Sequence, residues 1–106
     1  MSESELDADP DFDATHPSGH VMFRSCRGGY LHSVVLSEAV HDCEGESLAE
    51  AVLLAAEVSH LRAVMQIRRQ ITAAGFTPSE ELATPTDLRR AEAALQGHRL
   101  REGDQA

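Results

Sequence analysis

The stretch His20–Leu36, HVMFRSCRGGYLHSVVL, decides the fold. Val21 and Phe23 alternate with Met22 and Arg24, the two-residue period of a half-buried strand. Tyr30 to Leu36 is β-branched and apolar and reads as the next strand. Between them, Gly28 and Gly29 suit a two-residue hairpin of type I′, which needs positive φ at both central positions. The letters Arg27-Gly28-Gly29 also occur in RNA-gripping segments, but those are disordered, arginine-rich repeats. Here a single copy stands between two strand patterns in an acidic chain, so a turn is the reading. Leu31 and Val34 lie three apart, and a bulge near His32–Ser33 reconciles them with one strand face.

Toward the N-terminus, His16-Pro17-Ser18-Gly19 is a turn signal, with Pro fixing φ and Gly permitting positive φ. A weaker first strand falls at Phe12–Thr15. The first thirteen residues hold six acids (Glu3, Glu5, Asp7, Asp9, Asp11 and Asp13) and no base. They carry −6 of the formal charge of −9; twelve acids against nine arginines leave −3 for the rest. A segment so polar and self-repelling does not pack, and residues 1–10 read as a disordered acidic tail.

Toward the C-terminus, Ser47 with Glu50 three residues on reads as a capping box opening a helix. The next Gly or Pro is Gly75, suited to the position just past the helix, with Pro78 beyond it. The helix expected over Leu48–Ala74 is roughly 40 Å long at ~1.5 Å per residue. Leu54, Val58, Leu61 and Met65 form one apolar stripe, and Leu48, Val52 and Ala55 an adjoining one. Such a helix outreaches the ~17–20 Å strands of a small sheet. Its far half therefore needs cover, and Leu61, Val64, Met65, Ile67 and Ile71 are the candidate partner-binding residues. After a loop, Thr84 as N-cap, Pro85 at the first helical position and Asp87 two residues later start a second helix that ends by Gly97.

The expected architecture is α+β: a three-stranded antiparallel meander on one long helix, with a short C-terminal helix. A single domain spans 11–97, followed by a polar tail over 98–106. Val21, Phe23, Leu31, Val34, Leu36, Leu54, Val58 and Leu61 are the expected core. A chain of 106 residues without Trp buries a modest fraction of its surface, so pairing with a copy of itself, a homodimer, is expected.

Composition closes off several function classes. No segment approaches the ~18 apolar residues of a membrane span, and no basic-then-apolar leader opens the chain, so the expected starting compartment is the cytoplasm. Cys26 and Cys43 are too few for a disulfide framework and are expected reduced, although a bridge between them would close a seventeen-residue loop. The six histidines, with His16 and His20 about one turn and His41 near Cys43, lack the paired spacings of structural zinc sites, so no metal is assigned. No nucleotide-binding glycine loop and no nucleophile elbow is present. No catalytic residue and no cofactor is assigned, and the chain reads as a non-enzyme.

The order strand, turn, strand, glycine turn, strand, long helix is that of the YbaB-like fold. The run from Phe12 to about Met65 resembles the EspD/EspH family of mycobacterial ESX-type (type VII) secretion-associated proteins. The resemblance is carried by Thr15, Pro17, Gly19 and Val21, then Gly29, Leu31, Val34 and Leu36, then Leu48-Ala49 opening the helix, with Ala55 and Ala63 further along. It extends more loosely through Pro85 to Gly97. It implies an accessory or chaperone-like role beside an ESX substrate or component, with export through that system open, and it carries no catalytic residue. The alternative is a nucleoid-associated DNA binder, since YbaB-type proteins include such proteins. Its candidate contacts are Arg24 and Arg27, Arg62, Arg68 and Arg69, and Arg89, Arg90, Arg99 and Arg101. Phosphate neutralisation needs a basic face, whereas Glu57, Glu80, Glu81 and Glu92 interrupt these arginines.

Overall fold

The strand pattern of residues 20–36 resolves into the middle and edge of a small meander. A computed structural model describes residues 7–103. Three antiparallel strands lie in chain order, β1 (Ala14–Thr15), β2 (Val21–Ser25) and β3 (Leu31–Leu36). A long helix, α1 (Gly45–Ala73), crosses them, and a shorter one, α2 (Pro85–Gly97), packs against α1. Single 3₁₀ turns at Pro10–Phe12 and Glu38–Asp42 lead into β1 and α1. This is the α+β arrangement expected from the sequence.

The β2–β3 register pairs Val21 with Leu36 and Phe23 with Val34, then slips so that Ser25 faces Leu31. The extra residue is His32, at the expected bulge. The turn itself differs from the two-residue reading. Gly29 N–H bonds to the Cys26 carbonyl at 3.1 Å, so the turn is Cys26–Gly29 and its central pair is Arg27–Gly28. Gly28 and Gly29 both have φ of 88°, while Arg27 has negative φ. Positive φ at the second central residue alone is the type II requirement. Gly29 then carries the chain under α1. Its carbonyl accepts from Nδ1–H of His60 at 2.8 Å, and a Cβ there would lie 3.0 Å from the His60 ring.

α1 meets the sheet along a row of small residues. Ser47, Ala51, Ala55, Ser59 and Ala63, each four residues from the last, are fully buried. A row at this spacing is a ridge of the helix surface, and small side chains let the backbone lie close on β2. Val21 and Phe23 from β2, Val58 and Leu61 from α1, and Ala91 and Leu95 from α2 complete the core with Ala14 and Val40. The hydroxyls of Ser25 and Ser59 meet at 2.6 Å and satisfy each other inside it.

Three expected core residues are not in it. Leu31, Val34 and Leu36 are exposed because α1 lies over β1 and β2 and leaves β3 uncovered. Val21, Phe23, Val58 and Leu61 are buried as expected, and Leu54 packs against the core from its rim.

Helix boundaries follow their caps with one exception. Thr84 and Asp87 form the reciprocal capping box, with Pro85 in the first turn. Past α1, Gly75 at φ 90° donates to the Thr72 carbonyl while Phe76 N–H reaches back to the Ile71 carbonyl, which is the Schellman closure. The start of α1 departs from the capping-box reading. The helix begins at Gly45, and Ser47 lies inside its first turn, buried. The Ser47 hydroxyl donates to the Arg99 carbonyl at 3.1 Å and accepts the Arg101 N–H at 2.9 Å. It is a clamp on the C-terminal segment.

The two expected tails divide at the limits of the described residues. Residues 1–6 and 104–106 lie outside them. Asp9 N–H bonds to the Ser25 carbonyl at 3.1 Å and its carboxylate caps the Pro10–Phe12 turn, so order reaches back before residue 11. Residues 98–103 return as a strap across the start of α1, with Glu102 bridging to Cys43 and Leu100 packed against the core.

Candidate functional site

β3 is the open edge of the sheet. The opposite edge, β1, is two residues long and is preceded by Pro10, the usual ways of blunting an edge. β3 is six residues long, contains no Pro and no formal charge, and is exposed on both faces. Among the described residues, the large exposed apolar side chains are Tyr30, Leu31, Val34, Val35, Leu36, Leu53 and Phe76, and five of these seven belong to residues 30–36. Leu31, Val34 and Leu36 look toward the helix side, where they pair with Ser25, Phe23 and Val21; Val35 pairs with Met22 on the other face.

The structure divides the partner-binding candidates. Leu61, Val64 and Met65 are buried, so they serve the core of the protomer and are not available as an outer surface. The cover that the far half of α1 requires comes at Met65 from α2 and the N-terminal segment. Ile67 and Ile71 remain half-exposed. Neither lines the shallow apolar groove of about 560 Å³ that Met65, Thr72, Ala73, Pro85 and Leu88 form, flanked by Arg68 and Arg69. Arg68 is held there by the carbonyls of Leu82 and Ala83 at 3.5 and 3.3 Å. Phe76, 71% exposed, stands just past the end of α1.

Four of the nine arginines lie beside the chain's own carboxylates. Arg24 pairs with Asp13 at 3.1 Å, Arg62 with Glu92 at 3.0 Å and Arg101 with Glu44 at 2.8 Å, while Arg27 lies 3.8 Å from Asp9. Arg62 also donates to the Asp13 carbonyl. It ties β1 to α2 across α1. These cations are engaged with the chain's own carboxylates, several of them within or beside the acidic N-terminal stretch.

The histidines are scattered. His60 bonds the hairpin, His32 bonds its neighbour Ser33, and His41 lies in the 3₁₀ turn. No disulfide joins Cys26, which is buried, to Cys43. Among the described residues no three His, Cys, Asp or Glu side chains converge to hold a metal ion.

One histidine cluster was not legible in the sequence. His16 is 2% exposed, and its Nε2 lies 3.0 Å from Nδ1 of His98, eighty-two residues away. His98 Nε2 in turn lies 3.1 Å from the Glu50 carboxylate. The Ser18 hydroxyl lies 2.8 Å from His16 Nδ1. A serine, a histidine and a carboxylate in series suggest nucleophilic chemistry, which also needs donors for an oxyanion. The turn's amides are already committed: Ser18 N–H to His16 Nδ1, Gly19 N–H to the His16 carbonyl and His20 N–H to the Ser18 hydroxyl. The arrangement joins the β1–β2 turn to α1 and to the segment after α2. It forms one wall of an open cavity of about 680 Å³ between the β1–β2 turn and the strap.

No helix among the described residues is long and apolar enough to cross a membrane. No solved structure matches the chain. Three curated relatives, each called an uncharacterized protein, come from Mycobacterium bovis and from two strains of Mycobacterium tuberculosis. Each is 55% identical over 95 residues, covering 90% of this chain and 94% of its own. A family model described as Protein of unknown function (DUF2694) matches residues 5–101, from the acidic N-terminal stretch through both helices to the strap, and the chain belongs to that family.

Proposed function

We propose that the protein is a non-enzymatic, accessory or chaperone-like component of type VII (ESX) secretion that works by binding other polypeptides. The observation that carries the reading is the uncharged, unblunted apolar edge of β3. Monomeric proteins protect long edge strands with charges, Pro or covering loops, and this one has none of them. The similarity of residues 12–65 to the EspD/EspH family supports the secretion setting, and the mycobacterial relatives are consistent with it.

The edge is taken by a second copy of the chain. Residues opposite each other in a sheet share a face, so a two-fold β3 pair centres on a residue. Centred on Val34, it sets Ser33 against Val35; centred on Val35, it sets Val34 against Leu36. Neither register opposes two formal charges, in a chain whose charge of −9 otherwise repels its copy. Tyr30, Leu31, Val34, Val35 and Leu36, all exposed, flank that edge with apolar surface for the copy to cover. A six-stranded continuous sheet results.

The polypeptide client sits on the groove at the far half of α1. Apolar walls of Met65, Ala73, Pro85 and Leu88, and two flanking arginines, suit an acidic amphipathic helix lying in a groove. Purifying the tagged full chain from mycobacterial cells, beside a variant of an exposed groove residue, Thr72→Glu, tests the reading. Recovery of an ESX substrate or component with the parent chain and its loss with the variant is the expected result. Recovery of no ESX protein by either overturns it.

A further inference from the structure

The densest junction of titratable groups joins three segments distant in sequence: the turn after β1, the second turn of α1 and the strap over residues 98–103. Its hydrogens are fixed by elimination. Ser18 N–H points at His16 Nδ1 at 3.1 Å, so that nitrogen is the bare one. Nε2 then carries the hydrogen and donates to His98 Nδ1, which leaves His98 to donate from Nε2 to Glu50. Both imidazoles are neutral in this pattern, and every ring nitrogen is used. One added proton already costs a bond: with His98 an imidazolium on the Glu50 carboxylate, His16 must carry its hydrogen on Nδ1, toward the Ser18 hydroxyl, and the Ser18 N–H loses its acceptor. A second proton cannot be held. It would set two imidazolium rings, with nitrogens 3.0 Å apart, at a side chain that is 2% exposed.

We propose that this junction is an acid-released latch: double protonation of His16 and His98 frees the strap from α1 while the sheet and the helices stay folded. The strap is built for separate release. Beyond His98 it is held by the two bonds of the Ser47 hydroxyl, by Glu44 N–H to the Arg101 carbonyl at 2.7 Å and by Gly103 N–H to the Asp42 carbonyl at 2.7 Å. Its one ion pair, Arg101 with Glu44, is more than half exposed on the arginine side. Release uncovers Leu100 and the backbone of residues 42–44, a second short edge.

The surrounding charges do not offset the second proton. From the β1–β2 turn, His20 adds a third imidazole, itself bonded to Ser37 at 2.8 Å. From α1, Glu50 reaches His98 and not His16. From the strap, Arg99, Arg101 and Glu102 line the open cavity, and Asp42 and Cys43 line it from the 3₁₀ turn. Burial and the neighbouring His98 ring hold the His16 imidazole below its usual protonation range, in the direction the latch requires.

Amide hydrogen exchange on the full chain reads the strap and the core separately. The amides of Arg101, Gly103 and Glu44 report the strap, and that of Val58 reports the core. Between about pH 7.5 and about pH 5, strap protection relative to Val58 falls about tenfold for each unit by which the latched imidazole titrates below the free one. His16→Gln keeps a donor without a titrating ring and flattens that dependence. Should this buried substitution prevent folding, Glu50→Gln at a half-exposed position leaves an acceptor without charge, and release moves to higher pH. The proposal fails if the ratio is constant with pH, if strap and core lose protection together, if His16→Gln titrates like the parent chain, or if Glu50→Gln leaves the release pH in place.

Discussion

Gly29 shows how much one residue can hold. Its φ of 88° puts it in the left-handed region, and the His60 ring lies where its Cβ would go. Gly19 shares the positive φ but has open space around it. Gly19→Ala should therefore cost about 1–2 kcal/mol, the price of the backbone conformation for an L side chain. Gly29→Ala should cost more, because the His60 contact with the hairpin must also move. Urea unfolding of the two variants makes the comparison; equal losses would mean that the ring yields freely. His16 sets a pH dependence at the same scale. Its imidazole is held below the usual ~6.5, so the unfolded chain binds more protons as the pH drops through that value. Stability is full above about pH 6.5 and is lost as the pH falls through the lower, folded value. The urea midpoint should fall accordingly, and less so in His16→Gln. Asp87, pulled below the carboxylate range by its bonds to Thr84, works in a separate and more acidic window, where α2 loses its cap.

At the scale of elements, the sequence was read by its large apolar residues and the fold uses its small ones. The period of Val21 and Phe23, the bulge at His32, the Thr84 cap and the Gly75 closure were all legible, since each rests on local backbone chemistry; the glycine turn was legible in place but not in type. The row Ser47, Ala51, Ala55, Ser59 and Ala63 was not, because serine and alanine carry no hydrophobic signal although they set how closely α1 approaches β2. Leu31, Val34 and Leu36 misled for the converse reason: alternation marks a strand with an apolar face but not whether anything covers that face. Ser47 satisfied a capping pattern and in fact bonds a segment more than fifty residues away, and the His16–His98 contact has no local trace at all. Ala55→Leu should destabilise by about 1–3 kcal/mol through overpacking against β2, whereas Leu53→Ala, on the exposed side of the same helix, should change monomer stability by less than about 0.5 kcal/mol. Thermal melts of the two variants test which face of α1 bears on the sheet.

At the scale of the whole molecule, the long axis of 59 Å against a thickness of 17 Å reflects a helix that outreaches its sheet. The protomer covers β1 and β2 with α1 and leaves β3, the edge we propose for a second copy, exposed. The far half of α1 is only partly covered, with Ile67 and Ile71 half-exposed and Phe76 exposed just past its end. Val35→Lys places on the edge the charge that monomeric proteins use there, at a side chain 48% exposed, and should leave the protomer folded. Size-exclusion chromatography with light scattering, on the parent chain and on Val35→Lys, tests the central claim most directly. The parent chain should run at about 23 kDa, twice its 11.5 kDa, and the variant at 11.5 kDa with an unchanged circular dichroism spectrum. A parent chain that stays at 11.5 kDa at high micromolar concentration, or a dimer that tolerates the lysine, would contradict pairing through β3.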